Sequence, residues 1–105
     1  MNTDERRILA TFQSLLRKKL TPHAVALFGS RARGAAEIDS DMDVLVVVST
    51  RDKQTEDYIS DCAWEAAARY GIVLVPVVFS REEWEESPER SSLLAQSIKR
   101  EGIFL

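Results

Sequence analysis

The stretch from Gly29 to Asp43, GSRARGAAEIDSDMD, governs how the rest of the chain is interpreted. It follows one apolar run, His23–Phe28, and precedes another, Val44–Val48. Both runs are short and the second is rich in β-branched residues, which is typical of buried strands. The stretch therefore predicts a polar connection between two strands, with its first residues at the end of one and its last residues at the start of the other.

The first part of this connection has the composition of a phosphate-binding turn. Gly29 has no Cβ, so an anionic group can approach the backbone there. Ser30 offers a hydroxyl and, with it, the first backbone N–H groups of a short helical turn. Arg31 and Arg33 add positive charge, and Gly34 allows the chain to turn out. For Arg31 we favour an exposed helix-end charge, whereas for Arg33 we favour contact with phosphate.

The last part of the connection carries two carboxylates, Asp41 and Asp43, at the start of a strand. Side chains alternate along a strand, so both project from one face, with their Cα atoms roughly 7 Å apart. Carboxylate oxygens are the ligands that Mg²⁺ prefers, and Mg²⁺ commonly bridges them to substrate phosphates. The pattern predicts a site for a magnesium–nucleotide complex.

The remaining chain predicts helices around a small three-stranded mixed sheet, an α/β (α+β) architecture in a single domain over residues 1–105. Apolar residues recur at helical spacing from Ile8 to Leu20, ahead of Thr21-Pro22. A second helix spans about 54–70 and ends at Gly71. Ile72–Phe79 is the third strand, at an edge or a bulge because it contains Pro76. The capping-box spacing from Ser80 opens a short helix, and Ser87-Pro88 starts the last one, which ends before Gly102.

Composition limits the classes of function. The 105 residues are 45% hydrophobic and 30% charged, as in one globular domain. A net charge of −3 argues against a protein that mainly coats nucleic acid. No apolar run is long enough to span a membrane, and the mixed charges of the N-terminus do not predict a secretory signal, so we expect a cytoplasmic protein.

Two other interpretations of the connection fit less well. A calcium loop starting at Asp39 requires glycine at its sixth position and glutamate at its twelfth, where this chain has Val44 and Thr50. A P-loop requires lysine and Ser/Thr where this chain has Ala35 and Ala36. A solvated acidic turn is the simpler alternative to a metal site, but the Gly-Ser pair upstream disfavours it.

Gly29-Ser30, Arg33-Gly34 and Ser40-Asp41-Met42-Asp43 together resemble the signature of the minimal nucleotidyltransferases in the DNA polymerase beta superfamily. The resemblance extends over nearly the whole chain and implies the polymerase-beta-type nucleotidyltransferase fold. It also implies Mg²⁺-dependent transfer of a nucleoside monophosphate, AMP from ATP above all, with pyrophosphate leaving. It assigns nucleotide binding to the motif residues Gly29, Ser30, Arg33 and Ser40, and both metal binding and catalysis to Asp41 and Asp43.

Small stand-alone members of this family resemble the antitoxin of a pair whose toxin is a HEPN-domain ribonuclease, and some of them add AMP to a toxin tyrosine. The resemblance therefore implies a HEPN-domain partner. Active members usually carry a third acid on the next core strand, where this chain has Val73. Three functions stay open: an active protein adenylyltransferase, a binding module that neutralises its partner without turnover, and, less well supported, a transferase acting on RNA or a small molecule.

Three further residues have simpler interpretations. His23, the sole histidine, is expected to be structural or at the surface, and Cys62 is expected in the core. Trp64 lies off the apolar stripe of its helix, which allows an exposed or partner-facing position.

Overall fold

The computed structural model describes residues 1–34, 40–86 and 89–105. The elements in chain order are α1 (Thr3–Leu16), β1 (Ala24–Phe28), β2 (Met42–Val48), α2 (Lys53–Ala67), a 3₁₀ turn (Ala68–Tyr70), β3 (Leu74–Ser80), α3 (Arg81–Glu86), α4 (Glu89–Glu101) and β4 (Ile103–Phe104).

The strands form one mixed sheet in the order β3-β2-β1-β4. β1 pairs antiparallel with β2 and with β4, whereas β3 pairs parallel with β2. The parallel pair is connected through α2, as a parallel connection requires a crossover. The mixed α+β architecture agrees with the sequence prediction, and the sheet has one strand more than the three predicted.

The additional strand, β4, is only two residues long and pairs with Ala26 and Leu27. So short a segment carries no periodicity, and it becomes a strand only because α4 delivers it to the free edge of β1. At the opposite edge lies β3, which contains Pro76. The predicted edge position of this strand is thereby confirmed.

Helices cover both faces of the sheet. On one face α1 and α2 bury Ile8, Phe12 and Ile59 against the even-numbered residues of β2. On the other face the odd-numbered residues Leu45 and Val47 pack with residues of α4. Because β2 is central, its residues from Val44 to Val48 are all buried, which explains why its sequence is continuously apolar.

Helix termini follow local signals in the chain. Asn2 caps α1 in a capping box with Glu5, which the sequence analysis did not identify. The Ser80–Glu83 capping box at α3 is formed as predicted, and Gly71 adopts φ +67° after the 3₁₀ turn. α1 ends at Leu16, four residues before the predicted end, because the chain tightens into turns from Arg17 onward. The start predicted for the last helix, Ser87-Pro88, lies outside the described residues.

In the part of the chain that the structure describes, no helix has the length and apolar character that crossing a membrane requires.

Candidate phosphate and metal site

The Gly29–Gly34 segment leaves β1 as a single helical turn. The Arg33 N–H donates to the Gly29 carbonyl at 3.2 Å, and the Gly34 N–H donates to the Arg31 carbonyl at 3.3 Å. Gly29 and Gly34 have φ of +76° and +71°, a backbone region that other residues rarely adopt. The glycines at the two ends of the turn are thus required by its conformation.

Asp43 lies directly over Gly29. The two strands place Phe28 opposite Asp43, so the residue after Phe28 meets the carboxylate. A Cβ added at Gly29 would lie 2.6 Å from Oδ2 of Asp43, which is shorter than any normal contact. Only a residue without a side chain therefore allows this carboxylate to approach the turn.

Asp43 is affected by burial and by the charge of Asp41. Asp41 is exposed just before β2, and Asp43 is half-buried within it. Burial raises the pKa of Asp43 above its ordinary value, and the negative charge of Asp41 raises it further. A bound cation would stabilise the charged form of Asp43 against both effects.

This arrangement fits a magnesium ion on two observations. Its donors are carboxylate oxygens, and the missing side chain of Gly29 lets the Asp43 carboxylate lie against the turn that the sequence predicts to bind phosphate. Among the described residues, no cluster of three or more Asp, Glu, His or Cys side chains is present. Asp41 and Asp43 are therefore the residues that would hold the ion.

Arg31 is not an exposed helix-end charge, and that prediction was wrong. The residue is only 7% exposed, and its Nη1 donates to Oε2 of Glu5 at 3.0 Å. Its Nε donates to the Ser40 carbonyl at 2.9 Å. Arg31 thus ties the residue before Asp41 to the first turn of α1. The sequence carries no signal for this contact, because Glu5 and Arg31 are 26 positions apart.

Arg33 and Ser40 lie at the rim of the site. Arg33 is exposed, and its Nη1 lies 3.6 Å from Oε2 of Glu101 in α4. Ser40 is half-buried and meets Arg31 through its carbonyl. Together with Ser30, which follows Gly29 at the start of the turn, these predicted site residues border the same end of β1 and β2.

The neighbouring strand supplies no carboxylate. Val75 lies in register with Asp43, and the Met42 N–H donates to the Val73 carbonyl at 2.9 Å. Side-chain alternation places Val73 and Val75 on the same face as Asp41 and Asp43. The strand pairing therefore gives two positions, Val73 and Val75, at which a third acid would lie near Asp41 and Asp43. Glu37 and Asp39 lie outside the described residues.

The residues given simpler interpretations lie elsewhere. His23 is exposed, and its Nε2 is 3.2 Å from Oγ of Ser49 at the opposite end of the β1–β2 pair. Cys62 lies on the buried face of α2, in the core, as predicted. Burial raises the pKa of its thiol. A thiol with a raised pKa is a poor nucleophile. Trp64 is 74% exposed.

The chain thus combines a turn with glycine at both ends, a carboxylate pair and a mixed sheet covered by helices. A family model described as nucleotidyltransferase domain matches residues 6–105. The chain therefore belongs to the nucleotidyltransferase domain family. No curated protein matches it.

Several solved structures resemble the chain, and two of them are described here in turn. One is described as the crystal structure of a toxin-antitoxin with AMP-PNP; it has a TM-score of 0.64 and 21% identity, over 90% of this chain and 69% of that one. The other is a candidate nucleotidyltransferase from Sulfolobus solfataricus, with a TM-score of 0.48 and 14% identity over 99% of this chain and 86% of that one. The first likeness shows that the fold is shared.

Replacing Gly29 by alanine is expected to weaken ATP binding at least tenfold. The new methyl group would collide with the Asp43 carboxylate at 2.6 Å, and the positive φ would add about 1–3 kcal/mol of backbone strain. Gly71→Ala is the matched control, because Gly71 has a similar φ of +67° but nothing within 4 Å of an added Cβ. Titration calorimetry with ATP and Mg²⁺ measures the effect. Equal ATP affinities for the two variants would contradict the role of Gly29 in placing the Asp43 carboxylate.

Proposed function

We propose that this protein is a magnesium-dependent nucleotidyltransferase that transfers AMP from ATP to a partner protein and serves as the antitoxin of a HEPN-domain toxin. The observation that carries the proposal is the Asp43 carboxylate seated over Gly29, beside Asp41. Family membership supports nucleotidyl transfer as the chemistry. The choice of ATP and of a HEPN-domain partner comes from the motif resemblance.

Each residue of the site has a part in this reaction. Asp41 and Asp43 would hold Mg²⁺, which, when bound, neutralises charge on the phosphates. Gly29 lets the Asp43 carboxylate lie against the turn, and the Ser30 hydroxyl can donate a hydrogen bond to a phosphate. Arg33 is free to turn from Glu101 toward the phosphates because that ion pair is exposed. Arg31 holds the backbone before Asp41, so it positions the pair without touching the nucleotide.

The reaction itself is a displacement at phosphorus. A hydroxyl oxygen of the acceptor forms a bond to the α-phosphorus of ATP, the bond from that phosphorus to the bridging oxygen breaks, and pyrophosphate leaves. The hydroxyl proton passes to solvent or to a base on the acceptor protein, because the strand next to Asp43 offers Val73 and Val75 rather than an acid.

The toxin–antitoxin part of the proposal is supported by one structural likeness. The similar solved structure is described as a toxin-antitoxin with AMP-PNP, so that protein combines a partner with an ATP analogue. A shared fold makes the same combination a reasonable proposal for this chain.

A second candidate function is a module that binds nucleotide and masks its partner without turnover. The apolar Val73 and Val75 beside Asp43 favour it, because loss of a general base commonly lowers a rate by about 10²–10⁴. In this case the site would keep its affinity for Mg²⁺ and ATP.

Intact mass measurement separates the two candidates. The protein is incubated with ATP, Mg²⁺ and the product of the neighbouring gene, and that product is then weighed. We expect it to gain the mass of one AMP unit, and to gain none when Asp41 and Asp43 are both asparagine. Protection of cells from the toxin with no mass change would support masking. If the product shows no mass change and the cells are not protected, both candidate functions are refuted.

A further inference from the structure

A buried ion pair joins the first turn of α1 to the residue before Asp41. Glu5 and Arg31 are 6% and 7% exposed, and Nη1 of Arg31 lies 3.0 Å from Oε2 of Glu5. Burying two charges is costly, and well-packed apolar residues in place of such a pair often give equal or greater stability. A buried pair at this position therefore indicates a role other than stability.

The pair acts on the peptide unit that precedes Asp41. Nε and Nη2 of Arg31 both donate to the carbonyl of Ser40. The peptide unit that follows Asp41 is held as well, because the Met42 N–H donates to the Val73 carbonyl at 2.9 Å. The backbone is thus fixed on both sides of the first carboxylate of the pair.

Arg31 also belongs to the turn that the sequence predicts to bind phosphate. Its carbonyl accepts from the Gly34 N–H at 3.3 Å, within the Gly29–Gly34 turn. Its side chain extends from this turn to the carbonyl of Ser40. One residue therefore links the candidate phosphate-binding turn to the backbone that carries Asp41.

Glu5 orients the guanidinium of Arg31, and the capping box of α1 holds Glu5. Oε1 of Glu5 accepts from the Asn2 N–H, and the Asn2 side chain accepts from the Glu5 N–H, both at 2.8 Å. Oε2 remains for Nη1 of Arg31. A guanidinium is planar and its donors are fixed relative to one another, so an anchored Nη1 restricts the direction of Nε and Nη2. The Ser40 carbonyl receives those two donors.

We propose that Glu5 is a positioning residue of the metal site, which acts through Arg31 to hold Asp41 at a fixed distance from the Gly29–Gly34 turn. The inference rests on the proposed function for the cation and the phosphate that this spacing would serve. Glu5 itself touches neither of them. Residues that orient metal ligands in this way commonly change metal affinity by about 10–100-fold when they are replaced.

Amide hydrogen exchange tests the positioning without any ligand. Glu5→Gln keeps an oxygen for the Asn2 N–H but loses the charge that orients Arg31. We expect local opening around Asp41 to increase, so that the Met42 amide exchanges about fivefold faster or more. Asp52→Ala is the matched control, because it also removes a cap carboxylate, which accepts from the Thr55 N–H at the start of α2. In this control the exchange rate of the Met42 amide should stay within about twofold.

Titration calorimetry with ATP and Mg²⁺ measures the consequence for binding. Glu5→Gln is expected to weaken Mg²⁺-dependent ATP binding about tenfold, and Asp52→Ala to leave it within about twofold. The double variant Glu5→Gln with Arg31→Met leaves no buried charge unpaired, so its thermal stability should exceed that of Glu5→Gln. Its affinity should nevertheless fall further, because methionine donates nothing to the Ser40 carbonyl. A purely structural pair would change stability and affinity in the same direction.

The inference is overturned if the Met42 amide of Glu5→Gln exchanges at the original rate, or if Asp52→Ala accelerates it equally. It is also overturned if the double variant regains affinity together with stability. The exchange experiment requires neither nucleotide nor acceptor, so it is independent of the proposed function. The expected exchange rates without AMP transfer count against the proposed function only. Normal transfer by Glu5→Gln with unchanged Met42 exchange counts against the inference only.

Discussion

Asparagine at both Asp41 and Asp43 is expected to abolish Mg²⁺-dependent ATP binding and AMP transfer while the domain stays folded. A bound metal ion supplies several kcal/mol of charge stabilisation, and each 1.36 kcal/mol is a factor of ten. Loss of about 4 kcal/mol therefore lowers transfer by about 10³. Asparagine keeps the size of the side chain and removes the negative charge that holds the ion.

The stability of this double variant is expected to equal or slightly exceed that of the original chain. The pKa of Asp43 is raised by burial and by Asp41, so its charged form is less favourable in the folded state than in the unfolded one. Removing the charge therefore removes a repulsion at neutral pH. This is the usual conflict between a functional site and stability.

Titration calorimetry with ATP, with and without Mg²⁺, measures the binding, and thermal unfolding measures the stability. Glu86→Gln serves as the control, because Glu86 is an exposed acid at the end of α3. Unchanged Mg²⁺-dependent affinity in the Asp41/Asp43 variant would disprove the metal assignment. A collapse of the fold would instead mean that the pair is structural.

Truncating Arg31 to alanine is expected to lower the free energy of unfolding by about 3–5 kcal/mol, the usual cost of removing one partner of a buried ion pair. The change leaves the Glu5 carboxylate buried without its cation and the Ser40 carbonyl without its donor. A small domain has only about 5–15 kcal/mol of stability, so this is a large fraction. Arg31→Lys keeps the charge but not the planar guanidinium, and we expect an intermediate loss.

Urea unfolding of the two single variants and the double variant measures the interaction energy between Glu5 and Arg31. Glu5→Gln retains an acceptor oxygen for the Asn2 N–H, so the cap of α1 is preserved. With Glu5→Gln already present, Arg31→Ala should cost clearly less than it does alone, because no buried charge is left behind. Additive losses in the cycle, or a loss below about 1 kcal/mol for Arg31→Ala, would show that the contact contributes little.

The same pair predicts a pH dependence. Burial alone would raise the pKa of Glu5, but the Asn2 N–H and the Arg31 guanidinium lower it more, so it lies below its ordinary value of 4.5. A carboxyl whose pKa is depressed on folding stabilises the protein above its unfolded pKa, and that stabilisation is lost as the pH falls through the folded pKa. The difference in free energy of unfolding between Arg31→Ala and the original chain should therefore become smaller below about pH 4.5. If this difference stays constant with pH, a charge effect is excluded.

Features that depend only on neighbouring residues could be predicted from the sequence. The closeness of Asp41 to Asp43, the capping box at Ser80 and the left-handed Gly71 each depend on a few consecutive residues. Pro76 likewise indicated an edge strand or a bulge, because it lacks the N–H that a central strand needs, and β3 lies at the edge.

Features that join distant residues were not predictable in the same way. Arg31 was predicted at the surface because nothing near it in the chain is its partner, whereas folding brings Glu5 of α1 against it. The missing acid was predicted at Val73 alone, and the strand register adds Val75. β4 depends on where α4 ends rather than on its own two residues.

By itself, then, the sequence determined a glycine turn followed by paired carboxylates at the start of a strand, since backbone conformation and side-chain alternation are local properties. Only the tertiary structure decided that Asp43 lies over Gly29, that Arg31 is buried and that Trp64 and Val73 share one groove. Those contacts depend on how strands pair and how helices pack across the sheet, and that packing is fixed by the whole core at once.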